Sequence, residues 1–298
     1  MMNDKLSQSN LTVFGRPEGN VSSPKHFRSP AVHAGTDQEF AFLRGYFPAG
    51  HTLDKNGDVV VAGLSKNTDF LRQRDAILHL ISPQPGNIIL DVGCSAGAMM
   101  VYAGLQGAEV YGQDLSKKNI DLANECIKHF NLKGEAKLGD AIDLEFPDNY
   151  FDAAMASDFY EHVTKEVKIQ SLKEIIRVLK PGGMLIIKTP NLTYLKTSLW
   201  YKRINALLRF KNPLNISIPE TTGPSPEHHG LTNRKNMTRR MTDAGFQNYQ
   251  FLYMPLRRFG INYMVEILST EIPILRDILC EDLLIRAYKP IGLSHFPD

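Results

Sequence analysis

The sequence predicts a doubly wound, mostly parallel α/β sheet of seven strands, and three observations predict it. From Lys66 onward, short apolar runs alternate with stretches of helical period, the alternation that builds a parallel sheet with helices on both faces. The run Ile88-Ile-Leu90 ends in an acid, Asp91, followed at once by Gly93 and Gly97, which reads as a buried strand turning through a tight loop into a helix. The next runs close on Asp114, Asp140 and Ser157, and ligands of such sheets collect at the carboxyl ends of the strands.

Taken in order, residues 1–65 form an N-terminal extension. It is polar to about residue 30, then aromatic at Phe40, Phe42, Tyr46 and Phe47, a lid on the core or a wall of a substrate pocket. Apolar residues at helical spacing from Phe70 to Ile81 predict a helix that Pro83 ends. The core, residues 66–298, then places strands at 88–92, 109–114, 136–140, 151–157 and 184–189. Helices fall between them near 98–105, 117–130 and 165–179. After Pro190 a helix near 233–244 stops at Gly245, and strands follow near 246–254 and 283–289.

Two segments interrupt the alternation and read as helical cap insertions, 191–231 and 255–280. The first sets Leu195, Leu199, Ile204, Leu207 and Leu208 among Lys196, Lys202, Arg203, Arg209 and Lys211, with no acid between Glu174 and Glu220. Such a segment serves as a cap with a solvated basic face. Alternatively, residues 195–211 make peripheral contact with an anionic lipid surface. As a cap, its Tyr194, Trp200, Tyr201 and Phe210 would enclose an aromatic, prenylated or glycosidic molecule.

Composition narrows the classes. A net charge of +2 is too small to imply nucleic-acid binding by itself. Three cysteines without metal-like spacing suggest a reducing compartment and no disulfide framework. No apolar run reaches the ~20 residues of a membrane span, and the first residues lack the apolar stretch of a signal peptide. A cytoplasmic protein is expected.

The glycine loop also excludes ligands. Dinucleotide folds use G-x-G-x-x-G against a pyrophosphate, whereas here the spacing is G-x-x-x-G with a carboxylate just before it. That fixed charge repels phosphate and suits a ligand carrying an ammonium group. No Gly-Lys-Ser/Thr follows to make a phosphate loop. From about Lys66 to Pro290 the chain resembles the class I S-adenosylmethionine-dependent methyltransferases, whose core is a Rossmann-like sheet. Asp91, Gly93 and Gly97 match the first motif, and Asp114 the ribose acid. Gly139-Asp140-Ala141 matches the adenine-contacting turn, and Leu179-Lys-Pro-Gly-Gly-Met-Leu-Ile-Ile187 the turn and strand after the fourth helix. The resemblance implies S-adenosylmethionine as cofactor, held by Asp91, Gly93, Cys94, Gly97, Asp114, Leu115, Asp140, Ala141 and Ser157. It also implies an antiparallel last strand inserted beside the sixth.

Methyl transfer is an in-line displacement that needs alignment at about 3 Å and exclusion of water. An oxygen acceptor also needs a base or a Lewis acid. The run Asp158-Phe-Tyr-Glu161-His162 resembles the E-x-x-E-H of ubiquinone-pathway O-methyltransferases and small-RNA 3′-end methyltransferases. There these residues hold a divalent ion, which would make Asp158, Glu161 and His162 ligands of Mg²⁺. Aspartate in place of the first glutamate shortens the reach and puts that ion in question. The alternatives are His162 or Glu161 as general base, or a Glu-His pair that only shapes the cofactor pocket. His228-His229, ahead of a turn into a helix, offers one further ring as base, as metal ligand or as a loop bridge. The function implied is methylation of an oxygen in a small or lipid-like molecule such as a sugar, quinone or natural-product intermediate. Nitrogen or carbon acceptors, an RNA substrate and a scaffold without turnover are the alternatives. The basic residues lack the interleaved aromatics and glycines of an RNA module.

Overall fold

The computed structural model describes residues 51–53, 59–61, 76–218, 230–252 and 272–291. An antiparallel pair, β1 (His51–Leu53) and β2 (Val59–Val61), stands apart from the main sheet. A helical segment ends at residue 81. The core then runs β3 (Ile88–Val92), α1 (Ala98–Gly104), β4 (Glu109–Asp114), α2 (Lys117–His129), β5 (Gly134–Leu138) and β6 (Phe151–Ser157). There follow a 3₁₀ turn at Tyr160–His162, α3 (Lys165–Val178), β7 (Leu179–Pro190) and α4 (Leu192–Leu208). A second 3₁₀ turn at Pro213–Asn215 precedes α5 (Arg234–Ala244), β8 (Asn248–Leu252), α6 (Pro273–Leu279) and β9 (Asp282–Tyr288).

The seven-stranded sheet has the order β5-β4-β3-β6-β7-β9-β8, the Rossmann-like arrangement expected. Its residues divide into two compact units, Met1–Met155 and Ala156–Asp298.

In the first unit β3, β4 and β5 pair in parallel, with Asp91 opposite Gly112 and Asp114 opposite Leu138. Ile89, Leu90 and Val92 are buried, each side chain contributing about 1.5–3 kcal/mol of apolar burial. Ser116 caps α2 by accepting the Asn119 N–H, and the exposed pair Lys117–Asp121 lies on the first turns. Tyr111 meets the rings of Phe146, Tyr150 and Phe151 edge-on at 5.7–5.9 Å, which fixes the loop after β5 against β4. β5 begins two residues earlier than the apolar pattern places it. Gly134, at φ 115°, lodges there against the Val110 carbonyl, where a Cβ has no room.

In the second unit β9 lies antiparallel between β7 and β8, pairing Ile187 with Ile285 on one side and Phe251 with Ile285 on the other. This is the insertion expected of the last strand. β7 starts at Leu179, five residues before the predicted strand, because its glycine turn pairs with the end of β9. Gly182 donates to the Lys289 carbonyl at 3.0 Å, and the Lys289 ammonium reaches the Leu179 carbonyl at 2.8 Å. Asn191, buried at the end of β7, caps α4 by accepting the Thr193 N–H. Its amide donates to the carbonyls of Asp277 and Cys280 at 3.0 Å each.

Candidate cofactor and active site

The glycine loop is built by a run of left-handed residues, Gly93 (φ 70°), Ser95 (φ 48°) and Gly97 (φ 79°). Gly93 and Cys94 both donate to the Gln113 carbonyl, at 2.9 and 3.3 Å. Asp114 accepts the Ser95 N–H on one oxygen at 2.9 Å and the Ser116 N–H on the other at 2.8 Å. A carboxylate has about four acceptor positions, so each oxygen retains capacity for a ribose hydroxyl. Asp91 is buried beneath the loop. Gly97 lets the loop pack closely on α2, since a Cβ there would stand 2.9 Å from the Ala123 Cβ. The Cys94 thiol is buried and its pKa is pushed far up, first by burial and then by the charges of Asp91 and Asp114, so it stays neutral.

Beyond Asp114 the surface turns apolar. Leu115 is 70% exposed, and Leu138 and Ile142 are exposed as well. Asp140 accepts the Ile142 N–H at 3.2 Å, an Asx turn, and Ala141 is buried. One residue that the sequence did not single out holds this turn. Gln113 is buried, and its amide donates to the carbonyls of Asp140 and Asp143 at 2.8 and 2.9 Å while its oxygen accepts the Glu145 N–H. These three bonds lock the Asp140–Glu145 turn to the strand that carries Asp114. Its signal in the sequence was a polar residue inside an otherwise buried strand, next to the acid. Exposed apolar side chains beside an acid with spare acceptors fit the adenosyl group that the family resemblance implies.

In the second unit the end of β6 begins with Ser157, which donates to Asp158 at 3.2 Å. Asp158 sits at φ 55°, a left-handed conformation that is sparse for non-glycine residues and often found at functional sites. Its other oxygen meets the Lys188 ammonium at 2.5 Å, and Asp282 lies 3.8 Å from the same nitrogen. Burial works against the charge of Lys188, but Asp282 and then Asp158 outweigh it and raise its pKa. Glu161 is buried and accepts the Thr189 hydroxyl at 2.9 Å. Burial, and after it the Asp158 charge, push its pKa up to about 7.

The 3₁₀ turn sends neighbouring side chains to different sides, so Glu161 is buried while His162 is exposed. The Asp158–Glu161–His162 set therefore does not fit a divalent ion. Among the described residues no group of three or more His, Cys, Asp or Glu gathers as a metal site, and beside Asp158 the Lys188 ammonium supplies the cation. Behind Glu161, its carbonyl accepts the Gly230 N–H at 2.8 Å. Lys168 is buried and donates to the carbonyls of Val163 and Gly230. Its pKa is lowered to about 8 by burial and the nearby Arg240 charge. His228 and His229 lie outside the described residues.

The aromatic residues of α4 and its following turn differ in exposure. Tyr194 is buried, whereas Trp200, Tyr201 and Phe210 are exposed. The helix is apolar on more than one side, and one side is left in solvent.

Residues 90–187 match a family model described as a methyltransferase domain. An O-methyltransferase of Penicillium expansum is 36% identical over 110 residues, which cover 36% of this chain and 39% of that protein. A sterol 24-C-methyltransferase of Gibberella zeae is 31% identical over 153 residues, covering 50% of this chain and 36% of that protein. The chain thus spans under two fifths of the length of these curated relatives, as those coverages of 39% and 36% show. Among solved structures, an S-adenosylmethionine-dependent methyltransferase from Archaeoglobus fulgidus superposes with a TM-score of 0.51 at 21% identity, over 73% of this chain and 93% of that one. That likeness shows the same fold.

Proposed function

We propose that the protein, whose residues 90–187 match a methyltransferase domain, binds S-adenosylmethionine and methylates an oxygen of a small, lipid-like or aromatic molecule. Bound S-adenosylmethionine supplies an electrophilic methyl group on a sulfonium. Asp114 accepts the ribose hydroxyls, Leu115 and Ile142 flank the adenine, and the Asp140 carboxylate and Ala141 amide meet its edge. The buried charge of Asp91 favours the ammonium end of the ligand over any phosphate. Glu161 acts as the base that takes the acceptor's proton. A carboxyl whose pKa stands near 7 is matched to that task, and the Thr189 hydroxyl holds it in place.

The observation that carries this reading is Asp114, engaged by two backbone amides yet with acceptor capacity on both oxygens, beside exposed Leu115. Calorimetry with S-adenosylmethionine and S-adenosylhomocysteine tests it. Saturable binding of both is expected, and a silent titration of folded protein overturns it. The name of the sterol relative favours carbon as the accepting atom for that enzyme. Product formed with a labelled methyl group decides the atom here: a methyl ether supports oxygen, and a carbon-bound methyl removes it while leaving the cofactor assignment intact.

A further inference from the structure

α4 and the turn that follows it present apolar side chains outward. Trp200 and Leu207 are seven residues apart, as are Tyr201 and Leu208, so they form two neighbouring stripes along the helix; all four are exposed. The stripes continue past the helix end into Phe210, fully exposed at 101%, and Leu214.

The turn is built to hold Phe210 out. Phe210 donates to the Leu207 carbonyl at 3.0 Å and Lys211 to the Ala206 carbonyl at 2.8 Å, the paired bonds of a Schellman motif. The residue at its centre adopts a left-handed conformation and is usually glycine. Here it is Phe210 at φ 54°, a strained place for a bulky side chain. The Arg203 guanidinium donates to the Ile216 carbonyl at 3.0 Å and braces the returning chain against the helix. The hydrogen-bonded turn thus holds a fully exposed aromatic ring in a strained conformation.

Lys196, Lys202, Arg209 and Lys211 are exposed among these side chains, and no carboxylate occurs between Glu174 and Glu220. Among the described residues no helix is long and apolar enough to cross a membrane. Protein interfaces are depleted in lysine, whereas helices lying in the plane of a bilayer combine Lys and Arg with Trp, Phe and Leu. We propose that α4 and the 208–214 turn seat on an anionic bilayer surface, with Phe210 and Leu214 inserted below the headgroups and the basic residues paired with them. The proposal rests on this surface alone and stands apart from the methyl-transfer reading.

The chain has one tryptophan, Trp200, so its fluorescence reports this surface without a label. The full chain is mixed with vesicles of phosphatidylcholine, with and without about 30% phosphatidylserine. Only the anionic vesicles should pellet the protein, shift the Trp200 emission to the blue and shield it from an aqueous quencher. Raised salt should reverse all three. The triple variant Lys202→Glu, Arg209→Glu, Lys211→Glu should lower partitioning about a hundredfold or more, and Phe210→Ser with Leu214→Ser about tenfold. Both variants alter exposed side chains and should keep the wild-type circular dichroism. The proposal fails if anionic vesicles leave the protein in the supernatant, or if the variants pellet like the parent. It fails equally if the patch mediates a dimer in ultracentrifugation that Phe210→Ser dissolves without any effect on vesicle binding.

Discussion

Asp114 accepts the Ser95 N–H at 2.9 Å, so the acid that ends β4 also fixes the glycine loop that follows β3. Replacing Asp114 by alanine removes both an acceptor for the ribose and the anchor of the loop. Hydrogen bonds to charged groups contribute about 1.5–3 kcal/mol, so affinity for S-adenosylhomocysteine should fall by about 10–150-fold in calorimetry. Asp114→Asn, which keeps an oxygen, should fall between. Wild-type affinity in the alanine variant would remove Asp114 from the site.

Glu161 carries a pH dependence of definite sign. Its folded pKa, about 7, lies above the ordinary 4.5, so the folded state holds a proton that the unfolded state releases. Its contribution to stability is full below about pH 4.5 and is lost as pH rises through about 7, on the order of a few kcal/mol. Denaturant midpoints measured across that window should fall more in the parent than in Glu161→Gln. Turnover should run the opposite way, rising as the carboxylate forms, and Glu161→Gln should lose most of kcat together with that rising limb. A variant that keeps both rate and limb would leave the base elsewhere.

Lys188 is the cation between Asp158 and Asp282. Lys188→Met removes the ammonium that the buried Asp282 and the part-exposed Asp158 share, so stability should fall, by less than the about 3–5 kcal/mol of a fully buried pair. Glu161 should then become harder to ionise, so the rising limb of the rate profile should move to higher pH. Urea titration and a pH–rate profile read the two effects separately.

Gly97→Ala meets two obstacles, a left-handed backbone and the Ala123 side chain. A left-handed residue with a Cβ costs about 1–2 kcal/mol, and overpacking adds about 1–3 kcal/mol. Gly182 is also left-handed at φ 77°, but the nearest atom to an added Cβ is Ile291 at 3.6 Å. Gly182→Ala should therefore show the first cost alone. Equal losses in the two variants, read from denaturation midpoints, would show that the α1–α2 contact contributes nothing.

Three strands were legible from their apolar runs: β3, β4 and β6 fall where Ile88–Val92, Glu109–Asp114 and Phe151–Ser157 predict them. Boundaries moved where a distant partner decides them. Gly134 starts β5 because of Val110, and Leu179 starts β7 because Lys289, over a hundred residues on, closes the pair. Asp114 could be read from its position at a strand end. Gln113 could not, because a glutamine's burial depends on carbonyls of a loop that the strand does not predict. Glu161 and His162 were read as one cluster, whereas a 3₁₀ turn separates adjacent side chains by about a third of a circle. The α4 segment showed its apolar and basic residues plainly in the sequence. Periodicity does not reveal which of two apolar sides the fold covers.

The place of β9 has a consequence for synthesis. β7 and β8 share no ladder with each other, because β9 (Asp282–Tyr288) lies between them and pairs with both. A nascent chain that has emerged through Leu252 therefore holds β7 with an open edge and β8 with no neighbour, however well β3, β4 and β5 have already paired. That edge must wait for about thirty further residues to leave the ribosome, a delay on the order of seconds. During it, the exposed ladder is the part of the molecule most open to pairing with the wrong strand.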